Sequence, residues 1–129
     1  MSESKIIGVG ITDFGRFPDL TEESMAQSAI LQALSDANIK MQDVEAFYCG
    51  NAIGASLPGQ RALRELHTRG QAVYNIDNAC SSGATALNSA LNALKAGTDD
   101  YVINRHSFRS KYERARMESR FAIKHTSNQ

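Results

Sequence analysis

Cys80 is the residue of this sequence whose type and position best suit covalent chemistry. It follows a short run typical of a strand, Ala72–Ile76, and opens an alanine-rich segment typical of a helix that stops at Gly97. The unpaired backbone N–H groups and the dipole at a helix start would stabilise a thiolate, which is the nucleophilic form of cysteine. Small neighbours, Gly83 among them, would let a substrate carbonyl reach the sulfur. The alternative is a small apolar residue at a buried helix start, and the residues alone leave both interpretations open.

The other residues that could bind a metal or move protons form no recognisable motif. The 2 cysteines cannot build a disulfide framework or a four-thiolate zinc site, so we predict no metal site. Cys49 lies in a predicted strand and is interpreted as a buried, unreactive thiol, with approach to Cys80 across neighbouring strands as the alternative. Asp77 and Asn78 directly precede Cys80 and are predicted to cap its helix or fix the turn. The histidines are predicted to lie on the surface: His67, His106 and His125.

Short apolar runs alternate with helical patterns along the chain. This order predicts an α/β fold of the type βαβαβαβ, with a mainly parallel sheet and a buried alanine-rich helix that starts at the cysteine. The predicted strands are 5–12, 44–50, 72–76 and 101–103, and the predicted helices are 21–38, 60–68 and 80–97. Gly8 and Gly10 in the first strand invite a dinucleotide-binding interpretation, but the third glycine of that motif is missing, so we exclude it.

The helix at 21–38 has the clearest local signals. Thr21 is predicted to be its N-cap, because Glu22 and Glu23 then lie in the first turn, where the helix dipole favours negative charge. Apolar residues recur at steps of three and four along the segment, which predicts one face packed on a sheet. Asn38 is predicted to end the helix.

The chain has 129 residues and no net formal charge, but its charges are unevenly distributed. Residues 104–129 hold 7 of the 14 Lys and Arg residues and only 2 of the 14 Asp and Glu residues. A basic segment can bind nucleic acid, but Glu113 and Glu118 interrupt this one, and we predict no nucleic-acid partner. No apolar run approaches the length of about 20 residues that a membrane span needs, and the first residues do not resemble a signal peptide, so we expect a cytoplasmic protein.

Four segments, 7–15, 33–39, 44–50 and 78–87, follow one another with the order and spacing found in the N-terminal half of a thiolase. The most specific of them contains Asn-Ala-Cys-Ser-Ser-Gly at 78–83, between a predicted strand and a predicted helix. The chain therefore resembles the thiolase family over about residues 5–103. It is most similar to the sterol-carrier-protein-type thiolases and the acetyl-CoA acetyltransferases.

This resemblance implies a thiolase-like fold and an acyltransferase that uses coenzyme A and acyl-CoA as substrates, without a covalently bound cofactor. Cys80 would then be the nucleophile that attacks the keto carbon of a 3-oxoacyl-CoA, and free CoA would remove the acyl group. The reverse reaction is a Claisen condensation. The family's oxyanion hole uses the backbone N–H of the nucleophilic cysteine. The resemblance also implies a homodimer formed through the N-terminal domain, with a second subunit that supplies the missing half as a further expectation.

Two alternatives in function stay open. The segment 77–82 would also suit a ketoacyl-synthase-like condensing enzyme, and a half-thiolase could serve as a non-catalytic binding or assembly module. The family's histidine base and second cysteine have no matching positions here. We divide the chain into an incomplete thiolase-like domain, 1–103, and a basic tail, 104–129, in which the pattern allows a helix at 111–124. We expect the tail to come from a truncated or frameshifted gene, with a natural short subunit as the alternative.

Overall fold

The computed structural model describes residues 3–109 and 116–126, and it describes side chains at 3–104 and 122–124. The strands are β1 (Glu3–Ile11), β2 (Ala46–Asn51), β3 (Ala72–Ile76), β4 (Tyr101–Arg109) and β5 (Arg116–Thr126). The α-helices are α1 (Glu22–Ala37), α2 (Pro58–Leu63) and α3 (Ser82–Lys95). Short 3₁₀ turns at Met41–Asp43 and Ala79–Ser81 precede β2 and α3.

The strands form one sheet in the order β1-β5-β4-β2-β3. β2 is parallel to both β3 and β4, whereas β5 is antiparallel to its neighbours β1 and β4. Four strands therefore run in one direction and β5 runs against them. The predicted α/β class and mainly parallel sheet are confirmed.

The first helix forms as its local signals predict. The Thr21 hydroxyl accepts a hydrogen bond from the Ser24 N–H at 3.1 Å, and Asn38 ends the helix in the left-handed conformation with φ 53°. Gly8 and Gly10 of β1 pack directly against this helix, because a Cβ at either position would overlap its backbone carbonyl groups. The two glycines therefore serve the close contact of helix and strand.

The core has one apolar cluster on each face of the sheet. On one face α1 and α2 cover β2 and β4, and the buried residues are Ala26, Ile30, Leu34, Val44, Phe47, Ala62, Leu63 and Ile103. On the other face α3 covers the same strands and β5, and the buried residues are Ala46, Tyr48, Ala86, Ala90, Leu94, Val102 and Ile123. Burial of these residues is the main stabilising contribution to the fold.

Helix α3 is buried along one side only. Its buried residues, Ser82, Ala86, Ala90 and Leu94, recur at steps of four, whereas Ala84, Asn88 and Asn92 are exposed. The sequence predicted a helix buried among close neighbours. The difference arises because, among the described residues, only the sheet packs against α3. Within this described part, no helix is both long and apolar enough to cross a membrane.

The two edges of the sheet differ. At the β1 edge, side chains of α1 cover the backbone: Asp36 accepts from the Val9 N–H at 2.9 Å, and Gln32 accepts from the Ile11 N–H at 3.2 Å. At the opposite edge, β3 exposes Ala72, Tyr74 and Asn75. Covered backbone groups protect an edge strand from pairing with another chain, so β3 is the more accessible edge.

The prediction for the segment after residue 103 is wrong in part. Strand β4 continues to Arg109, and residues 116–126 form a strand where the pattern allowed a helix at 111–124; residues 110–115 lie outside the described residues. β5 fits between β1 and β4 and pairs with both. Hydrogen bonding along both edges satisfies the backbone and overrides local helix preference.

The helix α2 also begins earlier than predicted, because Pro58 suits the first helical position.

Candidate active site

Cys80 lies in the middle of the 3₁₀ turn Ala79–Ser81, between the end of β3 and the start of α3. Its side chain is exposed. The α-helix begins at Ser82, two residues later than the sequence predicted. Because Cys80 is exposed in this chain, the structure does not bear out a buried apolar role for it.

The backbone before Cys80 takes an unusual conformation. Ala79 has φ 47°, in the left-handed region that costs a residue with a side chain about 1–2 kcal/mol. The Asp77 carboxylate accepts a hydrogen bond from the Ala79 N–H at 3.3 Å, and the Ser81 N–H donates to the Asn78 carbonyl at 3.0 Å. Asp77 and Asn78 thus hold the turn, which is one of the two predicted roles, whereas neither side chain caps the helix. Backbone strain of this kind persists only where the surrounding contacts determine it.

Ser82, which is 0% exposed, is the central hydrogen-bonding group of this turn. Its hydroxyl oxygen accepts from the Asn78 N–H at 2.7 Å. The hydroxyl has one proton and two acceptors within reach, the Ala79 carbonyl at 2.8 Å and the Asn51 carbonyl at 3.2 Å. One side chain therefore ties the turn that carries Cys80 to the end of β2.

A second pair of side chains holds the turn from the helix side. The Asn78 amide group donates to the Thr85 hydroxyl at 2.9 Å, and that hydroxyl donates to the Ser81 carbonyl at 3.0 Å. The residues on both sides of Cys80 are therefore bound to the first turns of α3.

Gly50 allows β2 to approach the start of α3. A Cβ at Gly50 would lie 2.6 Å from the Ser82 carbonyl oxygen and 2.8 Å from the Gly83 nitrogen, closer than side chains allow. The sequence analysis did not predict this contact at Gly50. Cys-Gly-Asn at the end of a predicted strand was the available signal, because glycine there marks a close backbone contact.

The other predicted residues lie apart from this turn. Cys49 is buried in β2 with 1% exposure, as predicted, and neither cysteine takes part in a disulfide. His67 is exposed, as predicted, whereas the side chains of His106 and His125 lie outside the described residues. In the part of the chain that the structure describes, no group of three or more His, Cys, Asp or Glu residues could hold a metal ion.

Among the described residues, two groups with raised pKa values lie at the other end of α3. The Tyr48 hydroxyl donates to Asp99 at 3.4 Å, and the Tyr48 ring stacks on Tyr74 with centroids 4.8 Å apart. Burial, with the charge of Asp99, raises the pKa of Tyr48 to about 12. Burial and then the charge of Glu45 raise the pKa of Asp99. Because Asp99 follows α3 and Cys80 precedes it, these groups belong to the fold and not to the chemistry of the thiol.

The sequence and structure of this chain were compared with those of known proteins. The family model described as Thiolase, N-terminal domain, matches residues 4–122. This match continues past residue 103, where the motifs seen in the sequence end, although the division of the chain at that residue stays a prediction. Sterol carrier protein 2 of Bos taurus is 36% identical over an alignment of 106 positions that covers 76% of this chain and 19% of that protein.

Two further proteins extend the comparison. The acetyl-CoA acetyltransferase of Methanothermobacter thermautotrophicus is 31% identical over an alignment of 108 positions that covers 80% of this chain and 28% of that protein. The structure of 3-oxoacyl-(acyl-carrier-protein) synthase III from Aquifex aeolicus VF5 superposes with a TM-score of 0.81 at 16% identity, covering 98% of this chain and 55% of that one. The last likeness shows the fold alone. The matched part of this chain thus spans 19% and 28% of the lengths of these two sequence relatives.

Proposed function

The chain belongs to the thiolase family, and from this premise we propose that it carries the nucleophile, Cys80, of a thiolase-type acyltransferase. The observation that carries the proposal is the exposed thiol in a turn held by hydrogen bonds at the start of α3. A nucleophile needs access to the substrate and a fixed position relative to it. Cys80 meets both requirements.

In the proposed reaction the Cys80 thiolate attacks the keto carbon of a 3-oxoacyl-CoA. A bond forms between sulfur and that carbon, the bond to the neighbouring carbon breaks, and acetyl-CoA leaves after its carbon takes up a proton. The thiol of free CoA then attacks the acyl group and releases Cys80. The Cys80 N–H, at the start of a helix, would donate to the oxygen on which negative charge develops.

The proton transfers require an acid and a base that we assign to no residue of this chain. Relatives in this family are longer, since this chain covers 19% and 28% of two of them. We therefore place the missing groups on a second subunit or on the part of a full-length thiolase that is not represented here. The chain alone is expected to accept an acyl group on Cys80 without completing turnover.

Intact-mass spectrometry after incubation with acetyl-CoA or acetoacetyl-CoA near neutral pH tests this proposal. The parent chain is expected to gain one acyl group, and Cys80→Ser is expected to gain none. Cys49→Ala is the matched control, because it removes the other thiol, which is 1% exposed, and leaves the turn intact. This variant should be acylated like the parent.

A folded parent that gains no acyl group would contradict the proposed nucleophile and favour a non-catalytic binding or assembly module. A chain that is acylated by acetyl-CoA and then releases a condensation product only with malonyl-CoA would favour the ketoacyl-synthase alternative. The sequence relatives named above favour the thiolase reaction, since the likeness to the synthase is one of fold.

We further propose that two copies of the chain pair through the N-terminal domain, at the β3 edge. Asp36 and Gln32 cover the opposite edge, whereas Ala72 and Tyr74 are exposed on β3. Light scattering is expected to give the mass of a dimer. Ala72→Lys would place a charge on the pairing edge and should shift the mass toward that of a monomer. Ser35→Lys on α1 is the control.

A further inference from the structure

The Ser82 hydroxyl is buried and is hydrogen-bonded to the backbone on both sides of the Ala79 φ torsion. We propose that Ser82 is a positioning residue for Cys80: its hydroxyl holds the left-handed turn that presents the sulfur to a substrate. This inference rests on the proposed function, because it assigns to Ser82 the task of orienting the nucleophile. Ser82 does not itself touch the substrate, since it is 0% exposed.

The argument begins with the bonds on either side of Ala79. The Ser82 oxygen accepts from the Asn78 N–H at 2.7 Å, before the strained residue, and the hydroxyl donates toward the Ala79 carbonyl at 2.8 Å, after it. The φ torsion of Ala79 therefore lies inside a ring that this one side chain closes. Without the hydroxyl, Ala79 can return to negative φ and release its strain.

The second step concerns the direction of Cys80. Cys80 follows Ala79 directly, so a change in the Ala79 torsions rotates the Cys80 side chain relative to α3. The Asn51 carbonyl lies 3.2 Å from the Ser82 oxygen and ties the ring to β2, while the absence of a side chain at Gly50 allows this approach. Ser82 thus fixes the position of the thiol relative to the sheet.

A merely structural role makes a different prediction. If Ser82 only stabilises the start of α3, then Ser82→Ala lowers the melting temperature and leaves the reactivity of Cys80 unchanged while the protein stays folded. If Ser82 positions Cys80, the rate of Cys80 modification falls at temperatures well below unfolding. The two roles are therefore separated by a rate measured on folded protein.

The experiment measures the rate of Cys80 modification by acetyl-CoA, and in parallel by iodoacetamide, over a range of pH. Peptide mass spectrometry assigns each adduct to Cys80 or Cys49, and the protection of Cys49, 1% exposed in the parent, reports that the fold is intact. We expect Ser82→Ala to lower the plateau rate at Cys80 about tenfold, the effect of losing roughly one net hydrogen bond to the turn. Ser89→Ala is the control, since its hydroxyl donates only to the Thr85 carbonyl at 2.9 Å within α3.

Equal rates for the parent and a folded Ser82→Ala would overturn the inference. If Ser82→Ala exposes Cys49, the rates of Ser82→Thr and Ser82→Val are compared instead. Threonine and valine have the same shape, but only threonine has a hydroxyl. A faster reaction of the threonine variant supports the inference, and equal reactions overturn it. If the parent reacts with iodoacetamide but gains no acetyl group, the proposed function alone is contradicted. The iodoacetamide rates of the variants still test the role of Ser82.

Discussion

Gly50→Ala is the substitution whose effect the structure determines most directly. The added Cβ would lie 2.6 Å from the Ser82 carbonyl oxygen and 2.7 Å from the Ser82 carbonyl carbon. Both are backbone atoms and cannot rotate away, so the start of α3 must move from β2. Overpacking of this kind costs roughly 1–3 kcal/mol, and we expect the upper end, offset by about 0.5–1 kcal/mol because alanine suits a strand better than glycine.

The net loss of about 2 kcal/mol corresponds to a melting temperature lower by roughly 10 °C for a chain of this size. Thermal and urea unfolding followed by circular dichroism measure this loss. Gly15→Ala is the control, because its Cβ would meet only the Phe17 ring, at 3.2 Å, and that flexible side chain can give way. If both variants unfold at the same temperature as the parent, the close approach of β2 and α3 is refuted as a constraint on this site.

Substitutions at three further positions test the turn, the half-buried carboxylate of Asp99 and the protected edge. Ala79→Val should cost about 1–2 kcal/mol in thermal unfolding, since a β-branched residue tolerates φ 47° poorly, while Ala79→Gly should match or exceed the parent. Burial raises the pKa of Asp99, so the contribution of Asp99 to stability is present at low pH and lost as the pH rises through that raised pKa. Asp99→Asn can still accept the hydrogen bond from Tyr48. This variant should raise the melting temperature at pH 7 and remove the pH dependence. Asp36→Ala removes the acceptor of the Val9 N–H and should cost about 1 kcal/mol in urea unfolding.

The parts of the fold that the sequence predicts best are those whose signals are local. The helix α1 has both caps where the pattern places them, at Thr21 and Asn38, because each cap is formed within a few residues of the chain. Strand β3 has the predicted bounds, since a short run of β-branched and aromatic residues lies between clear turns. Neither prediction needed any knowledge of the partners.

The parts that the sequence does not predict depend on partners far along the chain. Strand β5 pairs with β1, more than 100 residues earlier, in contacts such as Glu3 with Thr126. Its basic residues give no alternation strong enough to override a helical interpretation. The strand forms because a gap between two others provides hydrogen bonds for both of its edges, and that gap is a property of the assembled sheet.

The candidate site combines both kinds of information. The position of Cys80 before an alanine-rich helix is local and was predicted, whereas its exposure results from the 3₁₀ turn that delays the helix to Ser82. That turn depends on a contact between Ser82 and Asn51, 31 residues apart. A buried hydroxyl needs hydrogen-bond partners. The partners of Ser82 include the end of a distant strand, so residue spacing alone does not predict its role. The proposed nucleophile is thus visible in the sequence, while the residue proposed to orient it becomes visible only when the strand and the helix meet.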